Sequence, residues 1–199
     1  MSLSAILRAL YRARLAILSI AVIYFISVLV GAVMAHTGDE FALARRDDLV
    51  LRAQASAPAL LALNENDRFR AALLDFGSNL WAAVLDTVGG LAIIVPYPIA
   101  AYRGWVGGIV SVNSEHVSRL ASTGEAIYYL AVVILQLIPY TLAAAAGVTL
   151  GLACFRPPSY YQSAKLLWMP KEALRDVLRI YLLVVPLFFV ASLLEFLAA

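Results

Sequence analysis

The chain has 199 residues, of which 63% are hydrophobic and only 14% are charged, and its formal net charge is +2. Soluble domains carry nearer ~25% charged residues. Because the apolar residues here are gathered into long blocks, the composition predicts an integral membrane protein rather than a soluble domain. The small net charge and the lack of a dense Lys/Arg tract argue against a nucleic-acid partner, and one cysteine, Cys154, excludes an internal disulfide.

The first predicted span covers residues 15–34. This apolar run is longer than the signal-peptide core of about 7–15 residues, so we interpret it as an uncleaved membrane helix. Arg8, Arg12 and Arg14 precede it without any acid, which predicts a cytoplasmic N-terminus. Residues 35–70 are then expected to form an extracytoplasmic amphipathic segment.

Residues 71–155 are predicted to hold the core spans. The first of them begins near residue 71 and contains Asp75, Asn79 and Asp86. Their spacing of four and eleven residues places all three on roughly one face of a helix. Charged groups at membrane depth are costly, so this face is expected to point into the protein, where the three residues are binding or gating candidates.

Two prolines, Pro96 and Pro98, interrupt the next apolar stretch and predict a bend or turn. Two layouts fit: one long kinked span ending at Arg103, or a span ending near Ile94 followed by another through residues 99–112. In either layout Arg103 requires the cytoplasmic interface or an acidic partner, which makes it a further candidate for binding or gating.

The uncharged run of residues 126–155 contains Pro139 near its middle. A proline removes a backbone amide and opens the preceding turn. We therefore predict two half-helices, 126–138 and 139–155, with Gln136 and Tyr140 near a buried break. The break is either a binding or gating point or a kink that lets an overlong helix fit.

Residues 156–179 are predicted to be a cytoplasmic amphipathic helix, since basic residues outnumber acids there. The last span is predicted at 180–197. The whole chain, 1–199, is thus expected to be one all-α polytopic helix bundle of five to six spans. The candidates for contact with a partner all lie in the amphipathic helix: Lys171, Glu172, Arg175, Asp176 and Arg179.

Four stretches together resemble the stage II sporulation protein M family of membrane proteins. The best is "EALRDVLRIYLLVVPLFFVASLLEF", followed by "FGSNLWAAVLDTVGG", "AYRGWVGG" and "LIPYT". The resemblance covers roughly residues 69–199. In the last stretch Tyr140 stands where the family has a histidine, and the family's following glutamate is missing, so no His–Glu role carries over.

The resemblance implies a membrane scaffold or accessory protein that recruits other membrane or envelope proteins at the bacterial inner membrane. The alternative is a permease or channel-like transporter subunit, working with a separate ATPase subunit. No nucleophile–base set, metal-ligand spacing or phosphate-binding loop occurs, so we expect no enzymatic activity, metal or cofactor. We also expect a homo-oligomer embedded in the lipid bilayer.

Overall fold

The computed structural model describes residues 2–161, 165–166 and 168–197, and these are predominantly helical. A short antiparallel hairpin, with Lys165 opposite Pro170, is the one sheet within the described residues. The predicted all-α membrane-type fold class is confirmed. The elements in chain order are α1 (Leu3–His36), α2 (Glu40–Ser56), α3 (Pro58–Asn64), α4 (Arg68–Gly89), a 3₁₀ turn (Gly90–Ala92), α5 (Pro96–Ile109), α6 (Thr123–Phe155), a second 3₁₀ turn (Ser159–Tyr161), β1 (Lys165–Leu166), β2 (Met169–Pro170) and α7 (Lys171–Leu197).

Three helices, α1, α6 and α7, are long and apolar enough to cross a membrane. With 34, 33 and 27 residues, they reach about 40–50 Å at ~1.5 Å per residue, more than the ~30 Å hydrocarbon core. The helices α4 and α5 form a hairpin that packs against them. The number of spans in addition to these three depends on how deep that hairpin lies in the bilayer.

The two ends of the bundle differ in charge. At one end Arg12 of α1 pairs with Asp176 of α7; at the other, Ala35 of α1 packs with Ile109 of α5 and Ala42 of α2. The first end, residues 3–14, 156–161, 165–166 and 168–179, carries eight Lys/Arg and two Asp/Glu. The second, residues 36–70 and 110–125, carries six Lys/Arg and eight Asp/Glu. We call them the basic end and the acidic end.

Glycines bring two pairs of helices into backbone contact. A Cβ on Gly108 of α5 would lie 2.2 Å from the carbonyl oxygen of Val28 in α1. A Cβ on Gly147 of α6 would lie 2.3 Å from the carbonyl oxygen of Thr87 in α4. Small residues permit this close approach, which drives helix association where no water is present. The alanines just before Gly147, at 143–146, are likewise buried against their neighbours.

The prediction of two half-helices around Pro139 is wrong, because α6 is one helix from Thr123 to Phe155. A proline in a helix costs the hydrogen bond of one amide. The residues on its C-terminal side, 139–148, are all buried, so packing against neighbouring helices holds the helix together through the proline. Pro186 likewise lies inside one continuous helix, α7, where Phe188, Ala191 and Ser192 after it are buried.

The predicted boundary between an amphipathic helix at 156–179 and a last span at 180–197 is also wrong. Residues 171–197 form the single helix α7, and the 3₁₀ turn and the hairpin lie before it. The sequence "KEALRDVLR" runs directly into apolar residues without a helix breaker, so no boundary forms at residue 180. Similarly, α1 begins at Leu3, so the three arginines lie inside the helix.

The break near Pro96 is confirmed, and it divides this stretch into two helices, which excludes one long kinked span ending at Arg103. The helix α4 ends at Gly89, and α5 begins at Pro96. Between them Ile93 has a φ of 63°, in the left-handed region that turns the chain sharply. Within residues 35–70, Pro58 also interrupts the helical structure, since it is the first residue of α3.

Candidate functional site

A chain of polar side chains joins four helices in the interior of the bundle. We call it the core polar network. It contains six of the seven residues predicted as binding or gating candidates, and Ser192 and Glu195 of α7 complete it. The helix α4 contributes Asp75, Asn79 and Asp86; α5 contributes Arg103; α6 contributes Gln136 and Tyr140.

An ion pair between Arg103 and Asp86 lies at one end of the network. The Asp86 side chain is only 4% exposed, so its carboxylate is compensated by the guanidinium and not by water. The Arg103 guanidinium carbon also lies 4.2 Å from the centroid of the Tyr140 ring, a cation–π contact. The acidic partner that Arg103 was expected to require is therefore Asp86.

The Arg103–Asp86 pair lies level with the midpoint of the predicted first span. Gly104, the neighbour of Arg103, packs on the backbone of Tyr24 in α1. Tyr24 is itself buried and is near the midpoint of the apolar run of residues 15–34. Charges at this depth are costly unless each has an oppositely charged partner. The ion pair of Arg103 with Asp86 therefore stabilises the contact between α4 and α5.

The centre of the network links α4, α6 and α7 through Asn79 and Asp75. The Asn79 amide donates to the Asp75 carboxylate over 2.8 Å, and the Tyr140 hydroxyl donates to Asn79 Oδ1 over 2.7 Å. The Ser192 hydroxyl of α7 donates to the same Asp75 oxygen over 2.7 Å. The predicted shared face of Asp75 and Asn79 is therefore the face that binds the other helices.

Toward the acidic end, Gln136 of α6 donates to the Glu195 carboxylate of α7 over 2.5 Å. The hydroxyl of Tyr128, two turns earlier on α6, donates to the backbone carbonyl of Glu195. Together these bonds fix the last turns of α7 to α6. Glu195 was not among the predicted site residues, although an acid inside the last apolar run was the available signal.

Pro139, the seventh candidate, is buried but adds no polar group to the network. A separate bond cluster lies one turn further along: the Thr87 hydroxyl donates to the carbonyl of Ala143 over 2.9 Å and is bonded to the Tyr181 hydroxyl over 2.8 Å. Sequence reasoning missed this cluster, because a single threonine and a single tyrosine in apolar helices carry no distinctive spacing.

At the basic end, four charged residues form a second network between α1 and α7. Arg12 lies 2.9 Å from Asp176 and 3.7 Å from Glu172. Arg179 lies 2.5 Å from Asp176 and 2.6 Å from Glu172. The Tyr161 hydroxyl donates to Asp176 over 2.9 Å, and burial beside that carboxylate raises the pKa of Tyr161 well above its usual value.

This second network engages three of the five residues that were predicted to contact a partner. Asp176 is buried, and Glu172 and Arg179 have side chains only 22% and 18% exposed, so these three bind within the chain. Lys171 and Arg175 face outward, and they remain predictions as partner contacts.

At the acidic end, α2 and the 110–122 loop form a third set of polar contacts. The Asp47 carboxylate accepts from Arg46 over 2.8 Å and lies 3.0 Å from His116 Nε2. These contacts, the Arg46 hydrogen bond first, lower the pKa of Asp47. On the same side His36 Nε2 lies 2.8 Å from the Ser118 hydroxyl, which ties the loop to the end of α1.

Among the described residues, no group of three or more His, Cys, Asp or Glu side chains is placed to hold a metal ion. Comparison with known families gives one finding: a family model described as "Stage II sporulation protein M" matches residues 20–197. The comparisons with curated proteins and with solved structures give no match.

Proposed function

The chain belongs to the stage II sporulation protein M family, and from that premise we propose that it is a multi-span accessory or scaffold protein of a bacterial cytoplasmic membrane. It holds partner proteins on its two aqueous surfaces and has no catalytic activity of its own. The observation that supports this proposal is that the core polar network is closed: each of its charged groups has a partner on another helix.

Closure of the network favours a scaffold over a transport path. Each charged group in it has a partner on another helix, and Asp86 and Pro139 are both buried. In the described part of the chain, the one buried side-chain nitrogen or oxygen without a partner is Arg46 Nε, which lies outside the bundle core in α2. A path for ions or solutes requires polar groups that open to water, whereas a rigid platform requires groups that satisfy each other.

The charge difference between the ends supports an orientation. Basic residues concentrate on the cytoplasmic side of membrane proteins, so the basic end faces the cytoplasm and the N-terminus is inside. Counted from there, α1, α4, α5, α6 and α7 give five passes or partial passes, with the C-terminus outside. With 14 residues, α5 reaches only about 21 Å and so crosses only part of the bilayer.

The helix α2 is the best surface for an envelope partner on the outer side. Only Ala42 and Arg46 of its 17 residues are buried. The other residues of α2 are exposed or half-buried, and among them Asp48 pairs with Arg45 and Arg52. At the basic end, Lys171 and Arg175 offer the corresponding inner contact, where a cytoplasmic ATPase subunit would bind.

Affinity purification of the full-length protein after crosslinking in native membranes tests the proposal. We expect stoichiometric envelope or membrane proteins with the wild type, and loss of the outer partners when Leu51→Asp and Arg52→Glu are combined on α2. The variant Lys171→Glu/Arg175→Glu tests the inner contact in the same way. Leu182→Ala, on an exposed part of α7 within its apolar run, is the control and should leave recovery unchanged.

Recovery of the same proteins from the wild type and from both surface variants would contradict the scaffold proposal. Recovery of copies of this chain alone would do so as well.

A permease subunit is the second candidate function, because the core contains four ionisable side chains of the kind that line a path in transporters. They are Asp75, Asp86, Arg103 and Glu195.

A further inference from the structure

A groove of about 390 Å³ opens beside the first turns of α1 at the basic end. Positions 11 and 12 each lie three or four residues from both 8 and 15, so all four lie on one face of the helix. The groove is lined by Arg8, Tyr11, Arg12, Arg14, Leu15 and Tyr160.

The groove carries uncompensated positive charge. Arg12 is paired with Asp176 and Glu172, so its charge is neutralised. Arg8 is exposed and has no ion pair with any described residue. Arg14 donates to the backbone carbonyl of Tyr11 and stacks 3.8 Å from its ring centroid, but it has no acidic partner in the described part of the chain. Two guanidinium groups are therefore available to an anion.

The same face of α1 continues as an apolar strip into the membrane. Leu15 is 73% exposed, Leu18 is 62% exposed and Val22 is 46% exposed. Their spacing of three and four residues keeps them in line with Arg8 and Tyr11. The polar part of a ligand in the groove therefore contacts arginines. Its apolar part can lie along the exposed apolar side chains that follow on α1, within the span.

We propose that this groove binds the headgroup of an anionic phospholipid, with its phosphate on Arg8 and Arg14 and its acyl chains along Leu15, Leu18 and Val22. Basic sites between helices at the cytoplasmic surface are suited to such headgroups. The apolar strip distinguishes a lipid from a soluble phosphate, which would gain nothing from it.

Native mass spectrometry of the full-length protein in detergent tests this site. The protein is titrated with phosphatidylglycerol and, separately, with phosphatidylethanolamine carrying identical acyl chains. We expect preferential binding of phosphatidylglycerol. Each basic residue near the surface contributes about a fivefold gain in affinity for anionic lipid, so Arg8→Gln/Arg14→Gln should weaken phosphatidylglycerol binding about 30-fold. Binding of phosphatidylethanolamine should not change.

Two matched variants make the result specific. Arg156→Gln/Lys165→Gln removes the same charge from the same end, at two exposed residues that do not line the groove, and should leave binding unchanged. Arg8→Lys/Arg14→Lys keeps the charge and should retain most of the binding. Equal losses in the groove variant and the Arg156/Lys165 variant would overturn the site, as would equal binding of the two lipids. Displacement of phosphatidylglycerol by an equal concentration of inorganic phosphate would assign the groove to a soluble anion instead.

Discussion

Removal of Asp86 is the most informative perturbation of the core. In Asp86→Ala the Arg103 guanidinium loses its carboxylate at the level of Tyr24, near the midpoint of the predicted first span. Breaking a buried ion pair by deleting one partner costs about 3–5 kcal/mol, and a lone arginine at the centre of a membrane helix costs about 2.5–3.5 kcal/mol.

For Asp86→Ala we expect a free-energy cost in the lower part of these two ranges. The Arg103 side chain keeps 27% exposure and its contact with the Tyr140 ring, and both relieve part of the cost. We therefore expect Asp86→Ala to lower the free energy of unfolding by about 3 kcal/mol. The double variant Asp86→Leu/Arg103→Met removes both charges and should stay within about 1 kcal/mol of the wild type, since apolar replacements often match a buried pair.

Denaturant-induced unfolding in detergent micelles, followed by tryptophan fluorescence, measures these differences. The surface variant Asp48→Ala is the control. It breaks pairs whose side chains are about one-third exposed or more, so it should cost less than about 1 kcal/mol. A loss below about 1 kcal/mol for Asp86→Ala would refute the reasoning. So would a double variant whose loss equals the sum of the losses of Asp86→Leu and Arg103→Met measured singly, because the two charges would then act independently.

Three further predictions concern packing and the two ends. Gly108→Ala should cost about 3 kcal/mol in the same unfolding assay, because its Cβ would meet the backbone of α1 at 2.2 Å, whereas Gly77→Ala, with open space around its Cβ, should be neutral or stabilising. Tyr161→Phe should cost about 1 kcal/mol by removing its hydrogen bond to Asp176, and an unchanged melting temperature would contradict that bond. The pKa of Asp47 is lower in the folded state, so its contribution to stability is present above its unfolded pKa and lost as pH falls through the folded value. Asp47→Asn should therefore flatten the fall in melting temperature below about pH 4, and an identical pH profile would show that the contact contributes nothing.

The features that depend on local chemistry could be predicted from the sequence. A break at Pro96 follows from two prolines around one residue, and the bond between Asp75 and Asn79 follows from their i,i+4 spacing. The need of Arg103 for an acidic partner follows from the cost of a charge at membrane depth. These inferences require no knowledge of which helices are neighbours.

The remaining features depend on tertiary packing. Pro139 does not break α6, because the buried residues after it are held by surrounding helices, and a local rule does not include that energy. The contacts of Ser192 with Asp75 and of Arg12 with Asp176 join residues 117 and 164 positions apart. Periodicity places a residue on a face of its own helix but does not identify the helix opposite that face.

Cysteine accessibility in native membranes is the most direct test that the core is closed. With Cys154 replaced by serine, single cysteines are placed at Ala83 and Ala144, which are buried near Asp86 and Tyr140, and at the exposed Arg52. A closed bundle predicts that a charged, membrane-impermeant maleimide labels the Arg52 position rapidly, and the two core positions only after denaturation in SDS. Labelling at Ala83 or Ala144 in intact membranes would reveal water in the core and would support the permease instead.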